Sequence, residues 1–255
     1  MLGIQKKIVI LEPIEHKYIH TITGEVFKSV TTVISSIEHK FDVDGVAQSI
    51  ANQKDDDPKK NKDYIGMSKD RIVAYWQEIN DAANEYGTHV HEVVEQYLLN
   101  DKWFFPDNEF DLKVCRGYDA LNVDEGITMW PERVLFAEEY KLAGTTDLIV
   151  DIDNQYFSVG DWKTNRKFNF YSEYKQTLKK PFEYLQDCQF VVYTLQLSVY
   201  ALMYEMETGK KCRDIWVGYW NKESCTFSKI NLMYMRHEAE KLLKLHKYNT
   251  ELNNN

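Results

Sequence analysis

With 255 residues, 44% hydrophobic and 14% aromatic, the chain can bury one substantial core. Its net charge of −9 excludes a polyanion gripped by overall positive charge, so a nucleic acid would have to meet a local basic groove. No stretch approaches the roughly 20 apolar residues that span a bilayer, and the N-terminal apolar run is too short for a secretory signal, which predicts a soluble cytoplasmic protein.

Residues 1–68 read as a hairpin followed by short helices, with Asn52–Asp63 (NQKDDDPKKNKD) as a mobile, mixed-charge loop. From Lys69 to Asn100, apolar residues at Ile72, Tyr75, Ile79, Tyr86, Val90 and Val93 recur at helical spacing. Gly87, His91 and Glu95 stand four apart at the edge of that stripe, where a helix can present polar groups into a cleft. A glycine inside a helix costs about 1 kcal/mol relative to alanine, so Gly87 points to another backbone or a ligand approaching closely. His89-x-His91-Glu92 lacks the second histidine of a zinc-protease helix, since position 95 is glutamate. Asp101–Leu112 reads as a connection whose Trp103, Phe104 and Phe105 either stack on bases or pack, with packing the expectation.

Strands are expected at 132–142, 145–152 and 156–163. The last two flank Asp153-Asn154-Gln155, which is turn chemistry. If that loop has three residues, Ile152 pairs with Tyr156 and Asp147 falls opposite Asp161. A two-residue turn would put the two acids on opposite faces. Asp161 and Lys163 share a face because side chains alternate along a strand. Carboxylates brought together raise each other's pKa unless a cation sits between them, and hard oxygen ligands favour magnesium or manganese. A lysine beside such an ion suits phosphodiester hydrolysis, although a bare D-x-K triplet is common in charged chains. Arg166, Lys167, Lys175, Lys179 and Lys180 follow and offer a local basic groove. A largely buried helix over 185–207 carries Gln189 and Tyr193, then Gln196 and Tyr200, each pair one turn apart. Strands near 213–220 and 225–231, a helix from about Met235 and a frayed tail over 249–255 complete the chain. Cys115, Cys188, Cys212 and Cys225 are dispersed without a C-x-x-C pair, which disfavours an iron-sulfur cluster and fits a reducing compartment. The expected architecture is α/β. It is one domain with a mixed central sheet flanked by helices, divided into a hairpin and helical extension (1–68), a core (69–231) and a closing helix with its tail (232–255).

Four segments then stand in a telling order: Gly87-Thr88-His89-Val90-His91, Gly144-Thr145-Thr146-Asp147, Asp161-Trp162-Lys163 and Gln196-Leu197-Ser198-Val199-Tyr200. Together they resemble the PD-(D/E)xK nuclease superfamily, in particular its RecB-type branch of stand-alone phage-type and mitochondrial DNA exonucleases. His16–Ile37 is similar to the N-terminal part of those proteins. The resemblance implies a restriction-endonuclease-like core. It also implies metal binding by His91, Asp147, Asp161 and the Trp162 backbone carbonyl, catalysis by Lys163 with Asp161 and Asp147, and DNA contact by Gln196 and Tyr200. Glu132 stands where relatives often carry an acid and is expected to act behind the ligands at most. Thr146 replaces the proline of the superfamily's name, as is common in this branch. The implied activity is a magnesium- or manganese-dependent DNA exonuclease in a bacterial or phage-infected cell. An endonuclease of the same superfamily and a catalytically silent recombination-accessory module are the alternatives.

Overall fold

The computed structural model describes residues 8–100, 103–104, 106–123 and 128–253. Among them eight strands form one mixed sheet: β1 (Val9–Glu12), β2 (Lys17–His20), β3 (Val26–Ser29), β4 (Thr128–Ala137), β5 (Leu142–Asp151), β6 (Tyr156–Lys163), β7 (Lys211–Asn221) and β8 (Thr226–Leu232). Their order is β1-β2-β3-β5-β6-β7-β8, with β4 on the other edge of β5. The β3–β5 and β6–β7 pairs are parallel and the rest antiparallel. The helices are α1 (Val30–Ile37), α2 (Val43–Ala51), α3 (Lys69–Leu99), α4 (Glu109–Ala120), α5 (Gln189–Thr208) and α6 (Arg236–Asn253).

The pleat divides the core. Ile149, Phe157, Val159, Ile215 and Val217 pack against α1, α5 and α6, whereas Leu148, Val150, Trp162, Trp216 and Trp220 pack against α3 and α4. Each such side chain, fully buried, contributes roughly 1.5–3 kcal/mol. The α/β mixed sheet flanked by helices therefore stands as expected, and β6 has the expected bounds. Other elements differ. The strand expected at 132–142 is two elements: β4 begins at Thr128, and Glu138–Tyr140 form a 3-10 turn that ends on Lys141 in the left-handed region. Helix α5 starts at Gln189 rather than 185. Leu178 N–H donates to the Leu185 carbonyl and Asp187 N–H to the Gln176 carbonyl, so 185–187 pair with 176–178 instead of winding. Helix α4 occupies part of what reads as a connection, capped by the Asn108 side chain on Asp111 N–H. Residues 249–253 belong to α6 rather than to a frayed tail. Asn52–Asp63 is non-helical up to a 3-10 turn at Lys62–Tyr64, and buried Lys60 ties it by donating to the Gln53 carbonyl and Asp55 Oδ1. Phe104 packs against the α3–α4 core as expected, Trp103 is 77% exposed, and Phe105 lies outside the described residues. The apolar stripe of α3 enters that core only from Tyr86 onward. Its first half packs on the preceding segments through Trp76, which contacts Tyr64 and Phe41, and leaves Ile79 half exposed.

Candidate active site

The hairpin between β5 and β6 has the three-residue loop that the acids require. Asp153 Oδ1 accepts the N–H groups of Gln155 and Tyr156, and Ile152 N–H donates to the Tyr156 carbonyl at 3.0 Å. The ladder runs from Asp151↔Phe157 to Leu148↔Gly160, and the same register one step on sets Asp147 opposite Asp161. On the other edge of β5, Pro131 pairs with Leu148 and Arg133 with Thr146, which sets Glu132 opposite Asp147. Glu132 is itself out of the ladder, with φ +45°, a conformation that costs a non-glycine residue about 1–3 kcal/mol and gathers at functional sites. Three acids, Glu132, Asp147 and Asp161, thus form one row across three strands. Strand β3 pairs with β5 only at Leu142 and Ala143, while β6 joins only from Leu148. Residues 144–147 therefore carry no strand along that edge, and the sheet opens where Asp147 sits.

Helix α3 delivers the fourth group. A Cβ on Gly87 would lie 2.8 Å from Thr164 Oγ1, so the glycine lets the helix close on the chain leaving β6. One turn later, His91 Nδ1 lies 3.3 Å from Asp147 Oδ2, the oxygen that also accepts the Trp162 N–H at 2.6 Å. Among the described residues, His91, Glu132 and Asp147 offer one imidazole nitrogen and two carboxylate oxygens all within 4.8 Å of one another. A cavity of about 630 Å³ opens over them, with Thr88, Glu92, Glu95 and Thr164 in its wall. Asp161 is 2% exposed and points its Oδ2 at Lys163 Nζ, 2.5 Å away. The Lys163 ammonium also lies over the Tyr193 ring, 4.7 Å from its centroid. Asp161 is thus brought into the row but turned to the lysine, and Glu132 takes a place in the three-ligand cluster that the sequence reading did not give it. The available sign was Pro131, which cannot donate to a ladder and marks an interruption beside the acid. His89, by contrast, pairs with Asp111 Oδ1 at 2.7 Å.

The charges are interdependent. Burial pulls the His91 imidazole down, but the Asp147 carboxylate outweighs it and lifts His91 to about 9. Burial, then Asp147 and Glu95, push Glu132 up to about 8, and burial with Asp147 raises Asp161 to about 6. Asp147 itself is held below its ordinary value: burial opposes this, and His91 and Lys163 prevail. Burial likewise lowers Lys163, yet Asp161 and Asp147 raise it overall, so it is charged at neutral pH. Two hard carboxylate oxygens and an imidazole that must shed its proton to ligate make a donor set suited to a divalent cation. A stability consequence follows. Both His91 and Glu132 hold protons in the folded protein that the unfolded chain, at 6.5 and 4.5, has lost. Their contribution is complete below the unfolded values and disappears as pH rises through about 8 and 9. Each extra proton makes stability fall by about 1.4 kcal/mol per pH unit. Thermal melts in chelator should therefore show Tm falling between pH 6.5 and 9, with added Mn2+ raising Tm at pH 8.5 far more than at pH 6. A flat profile with equal metal effects would contradict the clustering.

Helix α5 supports the row from the opposite face. Gln196 Nε2 donates to Tyr200 Oη at 3.3 Å, and Tyr200 is 2% exposed. A Cβ on Gly144 would lie 2.5 Å from Tyr200 Cε1, so the glycine three residues before Asp147 is the slot that admits this ring. Gly144→Ala should cost about 2 kcal/mol in chemical denaturation and displace Asp147; unchanged stability and activity would show that the ring has room to move. Gln189 and Tyr193, the other pair on the helix, serve the 165–169 segment and Lys163 respectively.

A family model described as the PD-(D/E)XK nuclease superfamily matches residues 109–253. The matched span includes Glu132, Asp147, Asp161, Lys163, Gln196 and Tyr200, and begins after His91. Among solved structures, a protein of Eubacterium rectale provisionally named an exonuclease is 12% identical with a TM-score of 0.41, and 65% of each chain is covered. The protein SSO0001 is 13% identical with a TM-score of 0.32, covering 69% of this chain and 67% of its own. The chain thus spans 65% of the length of the first. No curated protein sequence matches it. Among the described residues no helix is long and apolar enough to cross a membrane.

Proposed function

The chain belongs to the PD-(D/E)XK nuclease superfamily, and from that premise we propose that it is a magnesium- or manganese-dependent DNA exonuclease. The observation that carries the reading is the convergence of His91, Glu132 and Asp147 beside the Asp161–Lys163 pair. His91, Glu132, Asp147 and Asp161, with the Trp162 carbonyl, would hold the ion. When bound, a divalent ion supplies Lewis-acid polarisation of a phosphoryl oxygen and acidifies water near it.

The chain's own groups do the rest. Lys163, charged and anchored by Asp161, donates hydrogen bonds to the attacking water and to the phosphoryl oxygens as negative charge grows on them. The Trp162 N–H and His91 fix one Asp147 oxygen, so the carboxylate is oriented before substrate arrives. Tyr200, its hydroxyl accepting from Gln196 Nε2, fills the slot left by Gly144 and is buried, so of the pair expected to contact DNA the partly exposed Gln196 is the one that would reach it. Restriction to DNA and to its ends rests on the likeness to the stand-alone RecB-type DNA exonucleases alone, since nothing local to the four motifs requires an end. The four cysteines are free, as suits the reducing cytoplasm of a bacterial or phage-infected cell.

The test is an incubation with end-labelled linear DNA and with closed circular DNA of the same sequence, in Mg2+ and in chelator. Shortening of the linear form alone, and only with metal, is expected. Cutting of the closed circle at a similar rate would replace the exonuclease by an endonuclease, and DNA binding without cleavage would leave an accessory module.

A further inference from the structure

The segment between β6 and α5, residues 164–188, leaves the site directly after Lys163 and carries six aromatic residues together with five basic and three acidic ones, against a chain of net charge −9. It is not a loose loop. Gln189 Oε1 accepts from Asn165 Nδ2 and from Asn169 N–H, and Gln186 Oε1 accepts from Ser172 N–H. Ser172 Oγ accepts from Gln176 N–H, and Tyr219 donates to the Asn165 carbonyl. Held in this way, Tyr171 is 75% exposed, Tyr174 82% and Phe170 46%. Large rings fixed in water on a hydrogen-bonded scaffold, instead of folded into the nearby core, form the kind of exposed apolar surface that marks a binding site.

The rings are connected to the chemistry. From the Lys163 ammonium over Tyr193, ring contacts pass to Phe168 at 5.7 Å and on to Phe170 at 5.0 Å, one residue before Tyr171. Arg166, Lys167 and Lys175 are interleaved with them along the chain, with Lys167 paired to Glu173. Cations suit a phosphate backbone, and rings interleaved with cations suit bases that are free to stack, whereas on a duplex a ring must first unstack a base step at a cost of a few kcal/mol.

We infer that Phe170, Tyr171 and Tyr174 form a stacking platform for an unpaired DNA strand next to the scissile phosphate, so that the enzyme takes single-stranded ends in preference to paired ones. This rests on the nuclease reading for the identity of the polymer. Binding is measured separately from cleavage, in chelator, by fluorescence anisotropy of a labelled oligothymidylate of about 20 nucleotides and of a blunt duplex. The wild type should bind the single strand at least about tenfold more tightly than the duplex, since stacking is worth about 1–3 kcal/mol per base. Tyr171→Ala/Tyr174→Ala should lose about tenfold or more on the single strand and little on the duplex, while Tyr171→Trp/Tyr174→Trp retains wild-type binding. Both positions are exposed, so neither exchange burdens folding. Equal affinity for the two DNAs, or an alanine variant that binds oligothymidylate as the wild type does, would overturn the platform even if the protein cleaves DNA. Retained single-strand preference without any metal-dependent cleavage would uphold the platform and sink the nuclease reading instead.

Discussion

Replacing Lys163 by alanine lowers DNA hydrolysis by about a thousandfold or more and leaves the protein folded. Loss of one donor aimed at developing charge costs about 10²–10³ in turnover, and Lys163 is in addition the cation that faces Asp161. Its ammonium is 2.5 Å from Asp161 Oδ2 and lies over Tyr193, so the site offers it a single place. Removing it also removes an influence that holds Asp161 down, and the Asp161 carboxyl then rises further above about 6, weakening its hold on a cation at neutral pH. Lys163→Met separates the two effects, because the stem remains and the charge goes. Single-turnover cleavage of end-labelled DNA at saturating Mg2+ is the measurement. Methionine as inactive as alanine is the expected result, and methionine retaining more than about a tenth of wild-type activity would show that the charge does not act on the reacting phosphate.

Asp147→Asn should be as damaging, for a different reason. One Asp147 oxygen faces His91 and the Trp162 N–H, and the residue stands at the centre of the acidic row and, with Glu132, belongs also to the three-ligand cluster. Asparagine keeps the size and loses the charge. Without that carboxylate, only the weaker influence of Asp161 offsets the burial that pulls His91 down, so the imidazole should titrate below about 9, while Glu132 loses its strongest repulsive partner and falls from about 8. Activity should drop by about a thousandfold at any accessible metal concentration, since a buried ligand and its charge vanish together. NMR titration of His91 gives an independent reading: an unchanged imidazole pKa in Asp147→Asn would contradict the pairing, whatever the activity.

How much of this was legible in the sequence varied with the kind of contact involved. Local chemistry was readable in part: Asp153-Asn154-Gln155 is turn chemistry, and pleat alternation sets Asp147 opposite Asp161 only if the loop has three residues, a length fixed by the Asp153 side chain on Gln155 N–H and not by composition. Gly87 in a helical stripe announced a close approach, though not that Thr164 makes it. Contacts that depend on three-dimensional closure were not readable. Glu132 reaches Asp147 because β4 lies on the far edge of β5 in one particular register, which no local pattern specifies. The start of α5 was misplaced because Leu185–Asp187 are apolar and polar in a helical rhythm, yet their backbone groups are taken by Gln176–Leu178. Helix α4 escaped notice for the opposite reason, since a cap at Asn108 and a short stripe through Val114, Cys115 and Tyr118 look like connection until packed under α3.

The most direct test of the central claim is Mn2+ binding followed by electron paramagnetic resonance at pH 8, on the wild type, Lys163→Ala and Asp147→Asn. We expect the wild type and Lys163→Ala to bind the ion and Asp147→Asn to leave it free in solution. Mn2+ bound equally by all three, or DNA hydrolysis that persists in excess chelator, would mean that His91, Glu132 and Asp147 do not hold the catalytic cation.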